Sequence, residues 1–144
     1  MRREWFIGAA AAVAAALLVM LYLQGDEAKI EAGRELYAAR CASCHGQKLE
    51  GQPDWQTRLP NGRMPAPPHD ASGHTWHHAG EALIGITKFG LKPYAGEYYE
   101  SDMPAFDGIL SDEEIDAVIV YIKSTWPARQ REYQVEITRN AAAK

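Results

Sequence analysis

Cysteine is scarce in this sequence, and that scarcity excludes several kinds of site. The chain of 144 residues contains two cysteines, Cys41 and Cys44, which stand three positions apart. Because both belong to one short motif, none remains for a disulfide elsewhere or for the second half of a four-cysteine zinc site. A thioredoxin-type redox pair would need a surrounding βαβ unit, and the sequence shows no convincing strand pattern.

Positive charge is also in deficit, and one N-terminal stretch carries no charge of either sign. The 15 Lys and Arg residues against 19 Asp and Glu give a formal net charge of −4, which argues against nucleic acid as a partner. The most apolar part of the uncharged stretch, Trp5–Leu23, would span roughly 28 Å as a helix, about one bilayer core. Arginines precede this stretch and acidic residues follow it, so the positive-inside rule predicts a cytoplasmic N-terminus and an exported remainder.

A cleaved signal peptide is the alternative interpretation of residues 1–25. The small-x-small triplets that a signal peptidase requires lie inside the alanine-rich run 9–16. Cleavage there would leave the apolar run 17–23 exposed at a new N-terminus. Trp5 and Tyr22 stand at the two ends of the segment, where interfacial aromatic residues belong. The pattern therefore favours an uncleaved N-terminal signal-anchor over residues 1–25.

The two cysteines open the run CASCHG, residues 41–46. The spacing C-x-x-C-H is typical of covalent attachment of a c-type haem. The two thiols add to the haem vinyl groups, and the adjacent imidazole then lies beneath the iron as the proximal ligand. We therefore predict one covalently bound haem c, held by Cys41 and Cys44, with His45 as an axial iron ligand.

Apolar periodicity predicts helices around this motif, and the predicted fold class is all-α. Apolar residues recur at helical spacing in 26–40 and again in the short segment 81–89, which Gly90 ends. A third helix opens with a capping box, Ser111 followed by Glu114, and ends before Pro127.

Long loops rich in glycine and proline separate the predicted helices. Residues 46–80 and 92–108 show no sustained period, and loops of that length usually wrap a ligand. The sequence thus predicts an anchor over 1–25, a haem domain over 26–128 and a polar tail over 129–144.

The order of these features resembles the class I c-type cytochromes over about Ala28–Trp126. The haem motif and the Met-Pro segment Ser101–Phe106, SDMPAF, carry most of the resemblance. It implies a class I cytochrome c fold in which the first and last helices cross. Here that crossing would bring Gly33 and Tyr37 against Tyr121 or its neighbours.

A narrower similarity points to membrane-anchored, mono-haem bacterial cytochromes. It is carried by the segments Pro67–Asp70 and Gly73–His78. The acidic surface of this chain departs from the lysine-ringed haem edge of mitochondrial-type cytochromes, so the partners of those proteins are not carried over.

The resemblance implies Met103 as the second axial iron ligand, shortly before the last helix. Met64 and the histidines of the loop are the alternatives, namely His69, His74, His77 and His78. By analogy with the family, His45 donates its free N–H to the carbonyl oxygen of Pro60 or Pro65. Candidate partners of the haem propionates are Arg58, Arg63, Trp76, Tyr98 and Tyr99. A copper site among the loop histidines is a further alternative to ordinary hydrogen bonding by their rings.

Together these features predict a membrane-tethered mono-haem cytochrome, an electron carrier rather than an enzyme. It would shuttle single electrons between membrane-bound respiratory-chain proteins on the periplasmic side. Acidic side chains flanking Met103 suggest partners that dock through a basic patch. One alternative is a subunit through which electrons enter a terminal oxidase or reductase complex. Another is a small haem peroxidase or sensor, which would require an open sixth position on the iron.

Overall fold

A computed structural model describes the backbone of residues 2–143 and the side chains of residues 17–143. Residues 2–143 contain no strand, which confirms the all-α prediction. The helices are α1 (Arg2–Arg40), α2 (Ala42–His45), α3 (Gly80–Phe89), α4 (Lys92–Ala95), α5 (Asp112–Ser124) and α6 (Ala128–Ala142). A 3₁₀ turn, Thr75–His77, interrupts the long loop between α2 and α3.

The predicted anchor occupies the first part of α1. No helix within the described part of the chain is both long and apolar enough to cross a membrane. Much of the predicted segment, residues 1–16, lies outside the residues whose side chains are described.

Helices α1 and α5 cross at Gly33. A Cβ atom added to Gly33 would overlap the carbonyl oxygen of Ala117 and lie 2.9 Å from Cβ of Tyr121. One turn later, the ring of Tyr37 packs 5.5 Å from the ring of Tyr121, centroid to centroid. Only glycine allows the two backbones to approach so closely, and the predicted crossing is confirmed.

The crossing places the haem motif at the end of α1. The amide of Cys41 donates to the carbonyl oxygen of Tyr37 at 2.9 Å, so helical hydrogen bonding continues into the motif. The Tyr37 hydroxyl also donates to the carbonyl oxygen of Gly46 at 2.9 Å. The same buried tyrosine therefore packs against α5 and holds both ends of the motif.

The core lies beneath this motif. Its larger cluster joins side chains from α1, the motif, the loop after the motif, α3, α5 and the turn after α5: Tyr37, Ala42, Leu49, Leu83, Val118, Ile119, Ile122 and Trp126. A smaller cluster contains Phe106, Leu110 and Ile115. The predicted capping box opens α5, since the Ser111 side chain accepts from the Glu114 amide and the Glu114 side chain accepts from the Ser111 amide. Gly90, at φ 77°, ends α3 as predicted.

The segment after Pro127, predicted only as a polar tail, is the helix α6. Its buried side is polar: Gln134 is fully buried, and its Nε2 donates to Thr138 Oγ1 at 3.0 Å. Thr138 Oγ1 in turn accepts from the amide of Gly80 at 3.0 Å. Because polar side chains make these contacts, no apolar period in the sequence marks the helix.

Candidate haem-binding site

His45 is a buried imidazole with a fixed orientation. Its Nδ1 lies 2.8 Å from the carbonyl oxygen of Pro67. A carbonyl oxygen only accepts, so Nδ1 carries the hydrogen and Nε2 keeps its lone pair for a metal. The prediction of Pro60 or Pro65 as the acceptor was wrong, because the loop returns to His45 at Pro67. Burial lowers the pKa of His45, which favours the neutral form that binds iron.

The two cysteines of the motif adjoin this imidazole in the sequence. Cys41 is partly buried and Cys44 is exposed. Burial, and to a smaller extent the neighbouring Cys44, raises the pKa of the Cys41 thiol to about 11.

His69 stacks directly on the ring of His45. The two ring centroids lie 3.9 Å apart, with the ring planes 23° from parallel. The sequence offers His69 only as an alternative to Met103 in the sixth position. If His45 is the proximal ligand, the position of His69 against its ring would place His69 on the same side of the haem, away from the sixth position. The feature of the sequence that could have indicated its place beside His45 is that His69 follows Pro67 by two residues.

Met103 lies half-buried in the loop between α4 and α5. The loop is held to the end of α3, since the amides of Phe106 and Asp107 donate to the carbonyl oxygens of Thr87 and Lys88 at 3.1 and 2.9 Å. Described contacts do not join Met103 to His45, so its role as the sixth ligand stays a prediction.

Several of the predicted propionate partners are engaged elsewhere. Arg63 forms ion pairs with Asp102 and Glu100. Arg58 donates to the carbonyl oxygen of Gly62 at 2.6 Å and lies 5.9 Å from the ring centroid of Tyr99. Tyr98 is 96% exposed, and its side chain points into solvent. A cleft of about 450 Å³ opens between the turn 58–62 and residues 95–100.

Trp76 and His74 fit a propionate better. The indole Nε1 of Trp76 and the Nδ1 of His74 are buried and have no hydrogen-bond partner among the described residues. Leaving such a group unpaired costs about 1–3 kcal/mol, so a carboxylate acceptor from a bound group would relieve it. The His74 ring is held in place by Trp55, which stacks on it at 5.2 Å between centroids.

The loop histidines do not form a metal cluster with other ligands. His74 lies 5.3 Å from His78 between ring centroids, and His77 packs against Trp76 at 3.8 Å. Over the described residues, no group of three or more His, Cys, Asp or Glu side chains is arranged to hold a metal ion. The described contacts of these rings are packing against one another and against Trp76.

One family model matches the part of the chain that contains this site. The cytochrome c family model matches residues 30–126, which is more than half of the chain. Neither the curated proteins nor the solved structures give a significant match. The family binds covalently attached haem c, and this chain provides Cys41 and Cys44 in the required C-x-x-C pattern. Because the match runs from the crossing helix through the haem motif to the end of the last core helix, the chain belongs to the cytochrome c family of electron-transfer haem proteins.

Proposed function

We propose that this protein is a membrane-tethered, mono-haem electron carrier that shuttles single electrons between respiratory-chain proteins on the periplasmic side. The observation that carries the proposal is the buried His45 imidazole, whose Nδ1 is held by Pro67 and whose Nε2 is left for iron. Bound haem supplies the one-electron redox couple. The protein residues hold it, orient it and keep substrates away from the metal.

Met103 completes the coordination in this proposal. Its loop is anchored to α3 through the amides of Phe106 and Asp107, which limits how far the thioether can move. With a methionine and a histidine as ligands, the haem iron would have a higher reduction potential than with two histidines. If His45 and Met103 both bound the iron, no open position would remain for a substrate, which would favour electron transfer over peroxidase or sensor chemistry.

Trp76 and His74 hold a haem propionate in this proposal. Their buried ring nitrogens lack partners among the described residues, and a carboxylate is the acceptor that Trp76 Nε1 requires. A propionate bound there would also tie the cofactor to the 3₁₀ turn, which α6 contacts through Tyr133, whose ring lies 5.5 Å from that of Trp76 between centroids.

The tether rests on the apolar part of α1. The described side chains of 17–23 are all apolar and lie on every side of the helix, each between 54% and 70% exposed. The side chains of a helix that is apolar on all sides must be shielded from water, and lipid would shield them. Tethering raises the effective concentration of the carrier near membrane-bound partners.

The partners dock through basic residues in this proposal. The structure divides the acidic side chains around Met103 into paired and unpaired ones. Glu100 and Asp102 pair with Arg63, and Asp112 pairs with Lys88. Glu97 takes part in no ion pair among the described residues and adjoins the fully exposed Tyr98. We therefore place the partner-facing negative field at Glu97.

A second candidate function is a fixed subunit through which electrons enter an oxidase or reductase complex. It is favoured by α6, where Val135 is 49% exposed and Tyr133, although its ring packs against Trp76, is still 45% exposed. A permanent partner would cover both side chains. Co-purification in mild detergent separates the two functions, because a mobile carrier is released alone and a subunit is not.

The absorption spectrum of the ferric protein tests the coordination. Ferric haem with a methionine ligand shows a weak near-infrared charge-transfer band, and we expect this band in the wild type. Met103→Ala should abolish the band and lower the midpoint potential, whereas the matched control Met64→Ala should keep both. A band that survives in Met103→Ala, or that is lost in Met64→Ala, would reassign the sixth ligand.

The tether has a separate test. Full-length protein should remain in the membrane fraction after carbonate extraction, and protease added to spheroplasts should degrade the haem domain. A protein released by carbonate, or a mature N-terminus near Asp26, would overturn the anchor.

A further inference from the structure

The face of the proximal imidazole is covered by a second histidine. His69 lies parallel to His45 within 23°, at 3.9 Å between ring centroids. An imidazole binds a metal through the lone pair in the plane of its ring, so a group stacked on the face leaves Nε2 free. The stack is therefore compatible with coordination of iron by His45.

His69 is itself held on several sides. Its Nδ1 lies 2.8 Å from Thr75 Oγ1, in the 3₁₀ turn. Its carbonyl oxygen accepts from the indole Nε1 of Trp126 at 2.7 Å, and its amide donates to the carbonyl oxygen of Leu49 at 2.8 Å. Tyr37 meets the ring edge-on at 6.3 Å between centroids. The Nδ1 bond joins the His69 ring to the 3₁₀ turn, and the two backbone bonds fix the main chain of His69 against Trp126, just after α5, and against the loop beyond the haem motif.

One short segment therefore constrains His45 in two ways. Pro67 holds the edge of the ring through Nδ1, but a single hydrogen bond still allows the ring to rock about it. His69, two residues later, covers the face and blocks that rocking. We propose that His69 is a positioning residue that fixes the plane of the His45 ring relative to the haem.

The proposal has two measurable consequences. The plane of an axial imidazole sets how unpaired spin spreads over the ferric haem, so a change of plane alters the pattern of shifted haem-methyl resonances in NMR spectra. The His69 ring is also polar, and a polar neighbour favours the more highly charged ferric state. The inference rests on the proposed coordination of iron by His45.

The test uses full-length holoprotein in detergent and two substitutions that separate these effects. His69→Leu removes both the ring and its polarity. We expect an altered haem-methyl pattern and an about threefold rise in the ferrous-to-ferric ratio at fixed ambient potential, about 28 mV at 59 mV per decade. His69→Phe keeps an aromatic ring to stack but removes the polarity. We expect it to retain the wild-type methyl pattern while its potential rises.

His77→Phe is the matched control, since His77 is an exposed histidine of the same loop that packs against Trp76 instead of His45. It should leave the methyl pattern and the potential unchanged. If His69→Leu fails to assemble with haem, Thr75→Val removes the hydroxyl beside Nδ1 and should change the methyl pattern in the same direction by a smaller amount.

The outcomes distinguish this inference from the coordination on which it rests. A wild-type methyl pattern in His69→Leu, or in Thr75→Val where the leucine variant does not assemble, would show that His69 only fills space. A wild type without the spectral signature of a histidine ligand would overturn the coordination by His45 as well. A changed pattern in His69→Leu and an unchanged one in His69→Phe would establish the positioning role.

Discussion

Replacing Gly33 with alanine tests the helix crossing that brings the haem motif to its place. The added Cβ would overlap the carbonyl oxygen of Ala117 and lie 2.9 Å from Cβ of Tyr121. The overlapped atom belongs to the backbone of α5, so no side-chain rotation can relieve the overlap and the two helices must separate. Tyr37 would then lose part of its packing against Tyr121.

Two opposing effects set the expected change in the free energy of unfolding of Gly33→Ala. Alanine in place of glycine favours the helix by roughly 1 kcal/mol. Overpacking of a close contact costs about 1–3 kcal/mol, and a backbone contact belongs at the upper end of that range. We therefore expect Gly33→Ala to lower the free energy of unfolding by about 1–2 kcal/mol. Each kcal/mol lowers the melting temperature by about 4–8 °C in a domain of about 100 residues.

Gly25→Ala is the matched control in the same helix, because a Cβ at Gly25 has no neighbour within 4 Å. It should leave the stability unchanged or raise it by up to about 1 kcal/mol. The assay is guanidinium unfolding of both holoproteins in detergent, followed by haem absorbance. A Gly33→Ala protein as stable as the wild type would refute the close crossing.

Three further predictions concern haem attachment, pH and docking. Replacing Cys41 or Cys44 with alanine should leave at most one thioether bond, and replacing both should yield little holoprotein, as measured by acid–acetone extraction. Burial is the main cause that lowers the pKa of His78, so the unfolded chain takes up a proton there first as the pH falls below about 6.5. The free energy of unfolding contributed by this ring is therefore complete above that pH and falls below it, which thermal melts across the range would show. Glu97→Lys should slow reduction by a basic redox partner at low salt without changing the potential, and rising ionic strength should slow the wild type.

Each of these predictions has its own control. Haem that extracts freely from the wild type would contradict covalent attachment. His78→Phe should flatten the dependence of stability on pH, and an unchanged slope would remove the histidine from the explanation. Glu132→Lys, on α6, changes the charge equally and should leave the electron-transfer rate as it is. Equal slowing by both reversals would show that only net charge matters.

Local features of the sequence were enough to predict the haem motif and the helices of the core. The attachment of haem depends on the spacing of Cys41, Cys44 and His45, which is fixed by neighbours in the chain. The start of α5 follows from a capping box, in which Ser111 and Glu114 hydrogen-bond within one turn. Gly33 predicted a close contact between two helices. A glycine lowers the stability of a helix, so its presence indicates a place where another backbone must come close.

The tertiary structure decided what lies around the motif. The choice of Pro67 over Pro60 and Pro65, and the stacking of His69 on His45, depend on the path of a loop that has no period. The helix α6 was not predicted, because Gln134 and Thr138 form the side of it that faces the body of the protein. Polar side chains give no sign in a sequence that they will be buried. Local spacing thus determined which residues take the cofactor. The return of a long loop, through hydrogen bonds between residues far apart in the chain, determined how the proximal imidazole is held.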